Sequence, residues 1–168
     1  MGSGKSSVGR RIAEMTGHRF VDTDRLVSNT ARSSITVIFK KYGEEYFRAL
    51  ETAELKKLVG VAGIVLATGG GVPTREENHE LLRQIGPVAW LDADPDEVFE
   101  RVSRNKRRPL LQTEDPRATF DELREKRVGF YEKAANFRID STHLNHNDVA
   151  RRVLEETMHF TRRIPVDS

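Results

Sequence analysis

Apolar positions along this chain switch between two periods. In "GKSSVGRRIAEMTG", Val8, Ile12 and Met15 recur at helical spacing and Gly17 supplies a stop. "HRFVDTD" is a short strand-like run that ends on two acids. Residues 25–58 read as helices: Ser34 is placed to cap "SSITVIFKKYG", and "GEEYFRALETAELKKLVG" is long and amphipathic. "GIVLATGGG" is a continuous apolar run ending on three glycines, the pattern of a strand buried on both faces. The helix "REENHELLRQIG", the strand "PVAWLDAD" and the helix "PDEVFERVSRN" follow, the last with Pro95 in its first turn. "KRRPLLQTEDP" is polar, basic and proline-containing, and reads as a loop. "ATFDELREKRVGFYEKAA" is a helix with an adjustment expected near Gly129. "NFRIDS" is a strand, "NDVARRVLEETMHF" a capped closing helix, and residues 160–168 a loose tail.

Strands that alternate with helices predict an α/β domain with a parallel sheet flanked by helices. No repeat or linker divides residues 1–168, so one domain is expected. The basic, proline-containing loop between two elements, at about residues 104–116, could close as a lid over phosphates.

Composition narrows the function classes. Lys and Arg number 28 against 26 Asp and Glu, a net charge of +2. That balance gives no whole-protein case for nucleic acid or an anionic membrane as partner. The absence of cysteine excludes disulfides, thiolate zinc sites and a thiol nucleophile. No apolar run approaches the ~20 residues that span a bilayer. Without an apolar export signal at Met1, the expected location is cytoplasmic. The five histidines show no metal-ligand spacing.

Four motifs carry candidate chemistry. Gly4, Lys5 and Ser6 match the end of a phosphate-binding loop, G-x-x-x-x-G-K-S/T, in which backbone N–H groups and a helix start cradle phosphates. Lys5 would reach the β- and γ-phosphates and Ser6 would ligate Mg2+. A helix cap that happens to contain GKS reads equally well on the tripeptide alone. In "VDTD", Asp22 and Asp24 at i and i+2 of a strand would point to one side, one toward Mg2+ and one toward a hydroxyl; taken alone, an N-cap plus an exposed acid fits better. The glycines after the strand expose backbone N–H groups to a ligand. Arg48, Arg107, Arg108 and Arg127 suit carboxylates and phosphates through their planar forks, although each taken singly reads as a surface charge.

GSGKS, DTD, "FRALE", GGG after a strand, RRPLL and "KRVGFYEKAA", in that order, make the chain resemble the shikimate kinases over nearly its whole length. The resemblance implies a phosphate-loop NTPase-type fold with substrate-binding helices at about residues 25–58 and a lid at about 104–116, and transfer of phosphate from MgATP to the 3-hydroxyl of shikimate. It places Gly2, Ser3, Gly4, Lys5, Ser6 and Ser7 on the ATP phosphates, Arg101 along the adenine and Arg108, in the lid, on the transferring group. Ser6 and Asp22 would hold Mg2+. Asp24 would bind the substrate hydroxyl and act as base. Arg48 and Arg127 would clamp the carboxylate, with Gly70 and Gly71 against the ring, Phe39 and Phe47 as its apolar wall, and Glu51 orienting the arginines. Lys5, Asp24 and Arg108 are thus the implied catalytic set, in a monomer whose partners are ATP and shikimate.

Leu144 stands where the family often has an arginine near adenine. The lead glycine of the phosphate loop and the central strand before it are expected upstream of Met1, in about ten apolar-rich residues. Other readings of the same residues are a gluconate-type or nucleoside-monophosphate kinase, and a sensor that binds shikimate without turnover.

Overall fold

The computed structural model describes residues 2–103 and 113–163. Four strands, β1 (Arg19–Asp22), β2 (Ile64–Ala67), β3 (Ala89–Asp92) and β4 (Phe137–Asp140), alternate with helices α1 (Lys5–Thr16), α2 (Thr23–Thr30), α3 (Ile35–Leu58), α4 (Glu77–Ile85), α5 (Pro95–Ser103), α6 (Pro116–Ala134) and α7 (His146–Arg163). A 3-10 turn, Val72–Thr74, follows β2.

Side chains set most helix starts. The Asp22 carboxylate accepts the N–H groups of Asp24 and Arg25 and opens α2. Ser34 Oγ accepts Val37 N–H at 3.3 Å and opens α3, as its sequence position predicts. Asp115 and Asn145 do the same for α6 and α7. Helix α3 breaks at Gly43.

β1 pairs in parallel with β2, Phe20 opposite Val65, and β3 with β4, Trp90 opposite Arg138. These are two separate two-stranded ladders. They share one layer because the same side chains cover both. On one face Val8 and Ile12 of α1 and Val149 and Val153 of α7 form a core with Leu91 and Ile139, against which Val65 and Ala89 also pack. On the other, Leu55, Val72 and Leu82 gather Leu66 and Val88. Smaller cores join α2 to α3 and α5 to α6.

Several expectations need correction. β2 is not buried on both faces: Ile64, Val65 and Leu66 are only half-buried, because one edge of the strand opens on a slot rather than on a neighbouring strand. Asp24 does not continue β1, because capping by Asp22 has already turned the chain into α2. Helix α6 runs through Gly129 without adjustment. Residues 160–163 belong to α7 instead of a loose tail. Met15 leaves the core at 42 % exposure. Asp115 and Pro116 start α6, and the rest of the expected lid at 104–112, with Arg107 and Arg108, lies outside the described residues, as does the side chain of Arg101. Among the described residues no helix is long and apolar enough to cross a membrane.

Candidate active site

The site lies at the carboxyl ends of β1 and β2, where open parallel sheets place ligands. Its first wall is the start of α1. Gly2 and Gly4 adopt left-handed φ of 76° and 77°, and the N–H groups of Ser7 and Val8 turn back onto the Gly4 carbonyl at 3.0 and 2.9 Å. No side chain caps this helix and no acid lies in its first turn. The helix start therefore faces the loop without a capping side chain, the arrangement that holds phosphate oxygens. Lys5 folds over the loop, its Nζ donating to Ser3 Oγ at 3.3 Å.

Ser6 Oγ donates to Asp22 Oδ2 at 2.9 Å, while Asp22 Oδ1 caps α2. A hydroxyl beside a fixed carboxylate is an all-oxygen donor pair that suits Mg2+, which keeps several waters and takes few protein ligands. Among the described residues no cluster of three or more His, Cys, Asp or Glu offers a larger cage.

The second wall is the glycine corner after β2. Thr23, fully buried, accepts the Gly69 N–H on its Oγ1 at 2.8 Å and pins the corner to α2. A Cβ added at Gly69 would lie 2.7 Å from Glu51 Oε1 and 2.8 Å from Asp24 Oδ1, so two carboxylates converge there. Gly71 is more tightly enclosed: a Cβ there would overlap the Arg48 guanidinium. Behind the corner, Asn78 Nδ2 donates to the Val72 carbonyl at 2.8 Å, and a His79 ring nitrogen bonds the Pro73 carbonyl at 2.6 Å.

The second half of α3 supplies the cationic side. Arg48, 8 % exposed, donates to Glu51 at 2.6 Å and to Glu44 at 2.7 Å, and its guanidinium lies over the Phe47 ring. Burial opposes the charge on Arg48, but Glu51 and Glu44 outweigh it and raise its pKa. Glu51 is fully buried, and its Oε1 has no hydrogen-bond partner. Burial pushes its carboxyl up to about 7 although Arg48 and Arg127 pull it down; Asp24 adds to the rise. Arg127 of α6 is buried, and both arginines, from two helices distant in the chain, act on Glu51. Tyr131 donates to the Gly70 carbonyl at 2.6 Å. Burial raises the phenol pKa of Tyr131, against the pull of Arg127.

The structure thus gathers Asp24, Gly69 to Gly71, Arg48, Glu51 and Arg127 at one corner, with Lys5, Ser6 and Asp22 beside it. Lys5, Gly69, Gly70 and Arg127 line one cavity of about 120 Å3. Asp22 and Asp24 serve different neighbours, Ser6 and the glycine corner, instead of pointing together from a strand. Phe47 is 3 % exposed, with Phe39 half-buried against it at 4.8 Å between ring centroids. Leu144 packs into the core of α1 and α7. Thr23 and Tyr131 escaped sequence reasoning. Tyr131 had one signal, its place four residues after Arg127 on the same helix face.

The family profile described as Shikimate kinase matches residues 1–158. The shikimate kinase of Bartonella quintana is 41% identical over 160 residues, 95% of this chain and 76% of that protein. That of Thermodesulfovibrio yellowstonii is 40% identical over 156 residues, 93% of this chain and 90% of its own. Among solved structures, shikimate kinase from Acinetobacter baumannii in complex with shikimate superposes with a TM-score of 0.89 at 35% identity, covering 98% of this chain and 91% of that one. The Aquifex aeolicus shikimate kinase gives 0.82 at 31%, covering 97% and 94%. A family match over residues 1–158, relatives about 40% identical along most of their length and solved structures of the same fold together show that the chain belongs to the shikimate kinase family.

Proposed function

We propose that this chain transfers the γ-phosphoryl group of ATP to the 3-hydroxyl of shikimate, releasing shikimate 3-phosphate and ADP. The observation that carries this reading is the glycine corner, where Asp24, Glu51 and Arg48 converge beside the phosphate loop. Arg48 and Arg127 bind the shikimate carboxylate, the only anionic group on the acceptor, and so turn one hydroxyl toward the loop. Tyr131 and Thr23 hold the Gly69–Gly70 backbone that the ring rests against.

Asp24 accepts the hydroxyl proton as the oxygen bonds to the γ-phosphorus and the bond to the β-phosphate oxygen breaks. Lys5 and the N–H groups at the start of α1 stabilise the charge spread over the phosphoryl oxygens. Ser6 and Asp22 are the residues that would hold Mg2+, which when bound neutralises phosphate charge. The phosphate donor and the carboxylate acceptor are thus held by separate elements, α1 on one side and α3 with α6 on the other.

The test is ADP release by the 168-residue chain with MgATP, with shikimate, gluconate or a nucleoside monophosphate as acceptor. Shikimate-dependent release, lost in Lys5→Met, is expected. Faster turnover of gluconate or of a nucleotide would overturn the choice of acceptor. Shikimate binding by calorimetry without ADP release would make the chain a sensor.

A further inference from the structure

Helix α6 turns one face to the cavity that Lys5, Gly69 and Gly70 line. Leu123, Arg124, Arg127, Val128 and Tyr131 stand on that face, at the spacing of one helical stripe. Two of its polar members meet the glycine corner: Arg127 acts on Glu51, and Tyr131 donates to the Gly70 carbonyl. Arg124, one turn earlier, goes elsewhere. Its Nη2 lies 3.7 Å from Asp92 Oδ1 at the carboxyl end of β3, too far for a hydrogen bond. The nearer partner of Asp92 is Arg138, which donates to Oδ2.

The surroundings put Arg124 at the phosphate-loop end of the cavity. Asp92 leads into Ala93, which packs with Val98. A Cβ added at Gly2 would lie 3.1 Å from Val98. Ser3 and Lys5 of the same loop line the cavity together with Arg124. Its charged lining is therefore Lys5, Arg124 and Arg127 against Asp92, and Asp92 is shared with Arg138. This surplus of positive charge suits an anion. Trp90, Leu91, Val98 and Phe120 make the neighbouring wall apolar, so little there screens the charge.

We propose that Arg124 is a further phosphate-binding residue of this site: its guanidinium binds the γ-phosphate of the nucleotide from the α6 side, as Lys5 does from the α1 side. The inference rests on the phosphate-loop reading above. A guanidinium with one long contact, to a carboxylate already shared, gives up little when it turns to a phosphate. Its planar fork fits two phosphate oxygens at once. The side chain is 36 % exposed, so a ligand can reach it. One helix face then carries an arginine for each anion, Arg127 for the carboxylate of the acceptor and Arg124 for the phosphate of the donor. Asp92 is the competitor that holds Arg124 back.

Calorimetric titration with three probes reads this without turnover: a non-hydrolysable ATP analogue with Mg2+, ADP with Mg2+, and shikimate alone. Arg124→Gln is expected to weaken the ATP analogue about tenfold or more, with ADP and shikimate held within about twofold. Arg124→Lys keeps the charge without the fork and should recover part of the loss. Asp92→Asn separates this role from a structural one. It removes the competing carboxylate and should tighten the ATP analogue. If Arg124 only stapled α6 to β3, Arg124→Gln and Asp92→Asn would act in the same direction, and that result would overturn the proposal. An unchanged affinity for the analogue in Arg124→Gln would overturn it as well, as would an equal loss for ADP, which lacks the γ-phosphate. Failure of the unaltered chain to bind either nucleotide would instead reject the phosphate-loop reading and this proposal together.

Discussion

Glu51→Gln separates a buried charge from a buried hydrogen bond. Glu51 is fully buried, with one oxygen on Arg48 and the other without a partner. Burial raises its pKa from 4.5 to about 7. At 1.36 kcal/mol per pKa unit, keeping this group ionised in the folded state costs about 3 kcal/mol. The folded protein holds the Glu51 proton to a higher pH than the unfolded chain does. Stability therefore falls as pH rises through the window from about 4.5 to about 7 and is steady above it. Glutamine keeps the shape and does not titrate. Urea unfolding of both proteins at pH 5 and pH 8 reads the difference. Between those pH values the balance should move toward Glu51→Gln by about 2–3 kcal/mol, whatever the offset at pH 5. A difference between the two proteins that is the same at both pH values would refute the reasoning, because Glu51 would then be ionised in the folded protein throughout, as it is in the unfolded chain.

Three further outcomes follow from the geometry of the corner. Gly71→Ala pushes Arg48 off its carboxylates, and kcat/KM for shikimate should fall about 100-fold with ATP binding retained, as steady-state kinetics and nucleotide titration would show. Thr23→Val keeps the volume but strands the Gly69 N–H, so denaturant unfolding should show a loss of about 1–3 kcal/mol. Ser6→Ala removes the hydroxyl beside Asp22, so the Mg2+ concentration at half-maximal turnover should rise about 10-fold or more in a metal titration at fixed ATP.

The helices and strands were legible because each carries its own period and often its own cap, as Ser34 and the run Ile64–Ala67 show. The phosphate loop was legible for the same local reason. What escaped was made by distant pairs. Thr23 meets Gly69 across 46 residues, and Tyr131 meets Gly70 across 61, and nothing near either residue announces the partner. Asp24 misled for a different reason. Its spacing from Asp22 fits a strand, but the carboxylate of Asp22 captures two N–H groups and starts a helix one residue earlier. The apolar run of β2 spoke for burial, yet whether an edge is covered depends on its neighbour in the sheet, which no local pattern encodes.

The break in α3 has a geometric effect that reaches the site. Phe39 and Phe47 are eight positions apart, a separation of about 12 Å along a continuous helix axis, yet their rings lie 4.8 Å apart. Only a fold-back at Gly43, with φ 82° and ψ 175°, brings them together, and that region of backbone space is essentially closed to residues with a side chain. One glycine thereby turns a straight rod into a bracket whose two arms grip the same aromatic pair. The platform under Arg48 is thus set by the angle of that bracket, and a side chain at position 43 would alter the reach of a guanidinium that it never touches.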